Sequence, residues 1–172
     1  DVRGAALESL ANIAPEDAVR LARRLMGDDR DGRESIWRAA LVVLGEHGAL
    51  RDGAAVLDGG APERLRSDEI RALARIVARQ PNAGDPAVVR LRRGGARFAE
   101  EMIHDLDLRT RSVAVTVLGE LGDDRSVAIL EELRREAHVD DLASGAAESV
   151  TRIRSRSAKS AEGPNVVEAR VA

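Results

Sequence analysis

The residues of this 172-residue chain that could do proton, metal or nucleophile chemistry are few and scattered. Glu101 and His104 stand three apart, which on a helix puts a carboxylate and an imidazole on one face. Glu-x-x-His spacing serves di-iron bundles, but such a site needs two of these pairs and two further glutamates converging on them. The other histidines, His47 and His138, fall at the ends of different segments, and neither has a glutamate three residues earlier. Glu101 and His104 are therefore expected to be solvated helix-face residues, with no metal bound. The chain has no cysteine, which removes disulfides and thiolate ligands. Its serines lack a neighbouring histidine or a glycine elbow. Gly59-Gly60 and Gly94-Gly95 are not followed by the Lys-Ser or Lys-Thr of a phosphate loop, so they read as helix punctuation. No catalytic, cofactor-binding or metal-ligating residue is assigned, and no enzymatic activity is expected within this chain.

Charge offers more. Of 27 basic residues only Lys159 is a lysine, a bias that fits the codon usage of a GC-rich bacterial genome. The net charge of −3 gives no general attraction to nucleic acid or acidic membrane. Two arginine pairs, Arg23-Arg24 and Arg92-Arg93, begin four residues after Val19 and Val88. The corresponding residues after Val127 are Glu131-Glu132. A phosphate track needs one sign repeated along it, and here the sign reverses. A mixed-sign face suits a protein partner, because charge complementarity selects partner and orientation. The candidate partner-binding residues are Arg20, Arg23, Arg24, Arg51, Arg92, Arg93, Glu131, Glu132 and Arg135. No apolar run approaches the roughly 20 residues of a membrane-spanning helix. No signal peptide is visible, so a cytoplasmic location and no membrane partner are expected. The first residue, Asp1, falls one residue before a repeated motif, so the chain is expected to be a piece of a longer protein.

The elements that must position these residues repeat. Val2-Arg3-Gly4-Ala5-Ala6-Leu7 aligns with Ile36-Trp37-Arg38-Ala39-Ala40-Leu41, and further copies start at residues 70, 110 and 142. The starts at 2, 36, 70, 110 and 142 are thus 34, 34, 40 and 32 residues apart, and the fifth position is always alanine: Ala6, Ala40, Ala74, Ala114 and Ala146. A period in this range marks stacked helix pairs, since one pair cannot bury its apolar face alone. With Trp37 and Phe98 the only aromatics, the core must be aliphatic, and small alanines let helices approach closely.

Each unit reads as a first helix, a turn and a second helix. The first unit has helices over 2–13, with Val2, Ala6, Leu10 and Ile13 on one stripe, and from Pro15 to Leu25, ended by Gly27. The second has helices over 35–46 and 50–58, with a turn at Gly48. The third runs over 67–79, breaks at Pro81, resumes after Asp85-Pro86 and stops at Gly94-Gly95. Residues 96–104 read as a short extra helix that lengthens the period. The fourth has helices over 109–121 and 126–137. The fifth, 141–154, has no second helix, and 155–172 is expected to be a flexible C-terminal tail. The array would thus occupy 1–154.

Ala39-Ala40-Leu41 with Leu44-Gly45-Glu46, and Val117-Leu118-Gly119-Glu120-Leu121-Gly122-Asp123-Asp124, resemble the HEAT-like repeats named after phycobilisome lyases. The resemblance covers about residues 1–154, and the third unit departs from it, with Arg79-Gln80-Pro81 where the others show Leu-Gly. It implies an all-α, right-handed α-α superhelix of about four to five helix pairs, used mostly for binding, with second helices lining the concave face. It carries no lyase residue to this chain. A HEAT-fold iron enzyme, deoxyhypusine hydroxylase, marks its site with His-Glu dipeptides, and here Glu46-His47 is the reverse order and occurs once. The expected function is a non-catalytic protein-interaction scaffold with no cofactor. Two alternatives are an accessory domain at the C-terminus of an enzyme such as a zinc aminopeptidase, whose His-Glu-x-x-His is absent here, and a HEAT-like nucleic-acid-binding module. The HEAT-like DNA glycosylases combine a basic concave face with aromatic and acidic residues, whereas this chain's one tryptophan lies in a first helix.

Overall fold

The computed structural model describes residues 2–28, 34–58, 61–137 and 139–161. The helices are α1 (Val2–Ile13), α2 (Pro15–Asp28), α3 (Glu34–His47), α4 (Leu50–Asp58), α5 (Arg66–Ala78), α6 (Pro86–Met102), α7 (Leu108–Leu121), α8 (Asp124–Glu136) and α9 (Asp140–Ala161). A 3-10 turn at Glu63–Leu65 leads into α5, and among the described residues there is no strand. His138 and Gly59-Gly60 lie outside the described residues.

Helix starts follow local chemistry. Pro15 and Pro86 occupy first-turn positions, where a missing N–H costs nothing. Asp85, Asp107 and Asp123 cap α6, α7 and α8 by accepting backbone N–H groups of Ala87 (2.7 Å), Thr110 (2.9 Å) and Arg125 (3.0 Å). The Asp123 cap is why α8 begins two residues before the expected Ser126.

In chain order first helices (α1, α3, α5, α7 and α9) alternate with second helices (α2, α4, α6 and α8), and each second helix packs on the first helix that follows it. Each first helix from α3 onward packs against both helices of the preceding unit. A single core of Leu, Ile, Val and Ala runs along the stack, and Leu41, Leu73, Leu118 and Ile153 are fully buried in it. Burying one such side chain contributes about 1.5–3 kcal/mol. The repeated alanines explain how the first helices come so close. Ala40, Ala74, Ala114 and Ala146 are all buried. At Gly4, an added Cβ would lie 3.0 Å from the Ser35 carbonyl oxygen, and at Gly45 it would lie 3.1 Å from the Ala72 Cα.

Three expectations are corrected. Gly94-Gly95 does not end a helix: α6 runs through it to Met102, so the expected separate helix over 96–104 is the C-terminal half of α6. These glycines are sites of close approach, where an added Cβ would lie 2.5 Å from Leu57 Cδ2 at Gly94 and 2.5 Å from Leu121 Cδ1 at Gly95. Gly27 likewise lies within α2 rather than ending it. Finally, the last helix does not stop at Arg154. It continues to Ala161, held by Arg156, whose guanidinium donates to carbonyls of the α7–α8 turn. Residues 162–172 of the expected tail lie outside the described residues.

Candidate binding surface

The two helix layers are spaced differently. The first helices α1, α3, α5, α7 and α9 stack along their lengths, whereas α2 and α4 scarcely meet, and α4–α6 and α6–α8 touch over short stretches. The second helices α2, α4, α6 and α8 thus form the more open edge of the stack. Clefts between successive second helices open along that edge.

The cleft between α2 and the start of α4 encloses about 490 Å³ and brings Arg20, Arg23 and Arg51 together with Glu16 and His47. Within it Arg23 is already committed. Its Nε and Nη2 clamp both carboxylate oxygens of Asp52, the latter at 2.9 Å, and Asp52 also accepts the Ala49 N–H at 2.7 Å. The Asp52 side chain is only 2% exposed. Burial alone would push its carboxyl up, but the Arg23 and Ala49 hydrogen bonds outweigh this and hold it below the ordinary carboxylate range. Arg20 is 71% exposed and pairs with Asp17 one turn away. Arg51 is exposed and makes no ion pair among the described residues.

A second cleft, about 470 Å³, lies between α6 and the start of α8 and is lined by Arg93, Arg97, Glu100, Asp123, Arg125 and Ser126. Arg93 is exposed, while Arg92 beside it is half-buried, and its Nε is buried with no hydrogen-bond partner. Arg92 stands close enough to Arg156 to repel it, which adds to burial in lowering the Arg156 pKa. Ser126, itself buried, donates to the Glu100 carboxylate at 3.0 Å.

The remaining candidates lie outside both clefts. Arg24 is exposed on α2, and Glu132 and Arg135 are exposed on α8. Glu131 is bridged to Arg154 of α9 at 2.6 Å, and Arg135 donates to the Glu131 carbonyl at 3.3 Å. Of the nine candidates, Arg20, Arg23 and Arg51 thus share the first cleft, Arg93 lines the second with Arg92 beside it, Arg24 stands apart on α2, and Glu131, Glu132 and Arg135 lie on α8. Arg97 and Arg125 join the second cleft without having been singled out, because residues 96–104 read as a separate helix and Arg125 as part of a turn.

The candidate metal pair separates. Glu101 is in α6 and pairs with Arg97 at 3.5 Å, whereas His104 lies beyond the helix end in an exposed turn. Among the described residues no group of three His, Cys, Asp or Glu stands close enough to hold a metal ion. No helix there is long and apolar enough to cross a membrane.

Fold and surface together define a helical-repeat solenoid. Residues 110–135, from α7 into α8, match the family model of the PBS lyase HEAT-like repeat, and the all-helical stack is consistent with a HEAT-like repeat array. Neither the curated proteins nor the solved structures contain a match to this chain.

Proposed function

We propose that this chain is a non-catalytic scaffold that docks a protein partner along the open edge formed by its second helices. The observation that carries this reading is the set of exposed, uncommitted charges spaced along that edge. Arg24 and Arg51 stand at one end, Arg93 and Arg125 in the middle, and Glu132 at the other end. None of them makes an ion pair among the described residues. Such a charge order orients a partner that is acidic where it meets α2, α4, α6 and Arg125 in the first turn of α8, and basic where it meets Glu132 further along α8. Nucleic acid is the weaker reading, since Glu131 and Glu132 interrupt the arginines.

Arg23 and Arg92 are poor probes, because one holds buried Asp52 and the other is half-buried. The triple variant Arg24→Glu, Arg51→Glu, Arg93→Glu changes only exposed charge. With a partner isolated by affinity chromatography and titrated by calorimetry, this variant should bind at least about tenfold more weakly with an unchanged circular dichroism spectrum. Unchanged affinity would remove the second-helix edge as the docking surface.

A further inference from the structure

We propose that α1 is an interior helix of a longer stack, and that a further helix pair of the same repeat type, carried in the same polypeptide ahead of Asp1, packs on its outer face. The observation is a stripe in the wrong environment. Val2, Ala6, Leu10 and Ile13 repeat the spacing of Leu142, Ala146, Val150 and Ile153 on α9. On α9 these four are 2%, 0%, 6% and 0% exposed, because α7 and α8 cover them. On α1, Val2 is 85% and Ile13 83% exposed, Ala5 and Ala6 are exposed, and Leu10 is half-buried. The same stripe on α3 (Ile36, Ala40 and Leu44) is buried by α1 and α2. In this molecule, a helix pair of the preceding unit covers the stripe wherever it is buried.

The other end of the stack supplies the contrast. Gly4, Leu7 and Ala11 are the buried residues of α1, with Gly4 set against Ser35 and Ala39 of α3, and their counterparts on α9 are Ser144, Ala147 and Thr151. Ser144 and Thr151 are exposed. That is the polar outer face a terminal repeat needs for solubility. The outward face of α9 thus carries polar residues, whereas that of α1 carries an apolar stripe. The small residues Ala5 and Ala6 at the middle of the open stripe match a close-packed helix neighbour, as Ala39 matches Gly4.

The chain has no cysteine, so Ile13→Cys provides a single thiol reporter. In the 172-residue chain this thiol should react with an aromatic disulfide as fast as a free cysteine peptide at every protein concentration. Made with the residues that naturally precede Asp1, the same variant should react at least about tenfold more slowly, since reaction must then wait for local opening. Val2→Cys, at the other end of the stripe, should behave the same way and guards against a local effect of the first substitution. Equal rates in both lengths, or the absence of a helix pair upstream, would overturn the proposal. Protection in the short chain that grows with concentration would overturn it in favour of a second copy.

Discussion

The α3–α4 and α7–α8 junctions share one sequence frame and resolve it differently. Each reads Leu-Gly-x-x-Gly, and four residues on comes a buried polar residue, Asp52 in one and Ser126 in the other. In both, the second glycine donates to the leucine carbonyl, Gly48 to Leu44 at 2.8 Å and Gly122 to Leu118 at 2.7 Å. In both, an arginine from a later first-helix segment caps the turn. Arg79 donates to the Gly45 and Gly48 carbonyls, the latter at 2.8 Å, and Arg156 donates to those of Gly119, at 3.0 Å, and Gly122. The tie to the preceding second helix differs in kind: a charged clamp between Arg23 and Asp52, against a hydroxyl donating to Glu100. The backbone frame is set by glycine, while the energetic weight of each junction is set by whichever side chain reaches it from the neighbouring unit.

The largest separation between the junctions should come from deleting the polar residues. Asp52→Ala strands Arg23 and the Ala49 N–H, and should cost about 3 kcal/mol by urea denaturation. Ser126→Ala loses one hydroxyl bond and gains helix propensity, for a net of about 1 kcal/mol or less. Similar costs would show that the two ties are equivalent. The clamp also has a pH signature. Because the folded state lowers the Asp52 pKa, its contribution is complete above the ordinary carboxylate pKa and disappears as pH falls through the depressed value. Asp52→Asn should therefore flatten the acid limb of the stability profile. Glu69 works in the opposite sense. Burial raises its pKa despite the Ala61 N–H it accepts at 3.3 Å, so its contribution is present at low pH and lost as pH rises through the raised value.

The first glycines should separate by less. At Gly119 a Cβ would lie 2.6 Å from Ser149 Oγ and 3.0 Å from Ser149 Cα, while Ser149 is fixed by a 2.9 Å bond to the Val115 carbonyl. Gly119→Ala should therefore cost about 2 kcal/mol. At Gly45 the nearest atom is the Ala72 Cα at 3.1 Å, and a shift of a few tenths of an ångström accommodates the methyl. The roughly 1 kcal/mol helix-propensity gain of alanine over glycine should leave Gly45→Ala near neutral. Thermal denaturation of the two variants compares them directly, and a reversed order would contradict the tighter α7–α9 contact.

The smallest difference is expected at the arginine caps. Arg156→Met and Arg79→Met each leave two turn carbonyls without their donor, at about 1–2 kcal/mol. Arg156 is the less exposed of the two, so its loss should cost more. Burial lowers the pKa of both guanidiniums, yet arginine remains charged across the usable range, so neither deletion should change the shape of the pH profile. A difference that appears only at one pH would point to a titrating neighbour instead.

The glycines of these junctions are legible in the sequence, because a repeated Leu-Gly-x-x-Gly can be aligned with itself. The arginines are not. Arg79 reaches 31 and 34 residues back, while Arg156 reaches 34 and 37 residues back from a different place in its helix. The same limit applies to the surface. Arg23 and Arg24 are neighbours in sequence, but only the placement of the start of α4 within reach of Arg23 commits the first to Asp52 and leaves the second exposed. Gly94-Gly95 misled for a related reason: glycine pairs commonly stop helices, and here Leu57 and Leu121 occupy the space their missing side chains leave.

Apolar periodicity, the recurring alanine and the Pro and Asp starts determine by themselves that this chain makes helix pairs and that the pairs stack. These signals are local or self-similar, and each can be read within one unit. Tertiary structure alone decides which layer is closely packed, which charges are spent inside the molecule, and that one end carries a polar face while the other leaves its apolar stripe open. Those outcomes depend on side chains from different units meeting, and the repeat period brings the units together without specifying what each pair of neighbours will do.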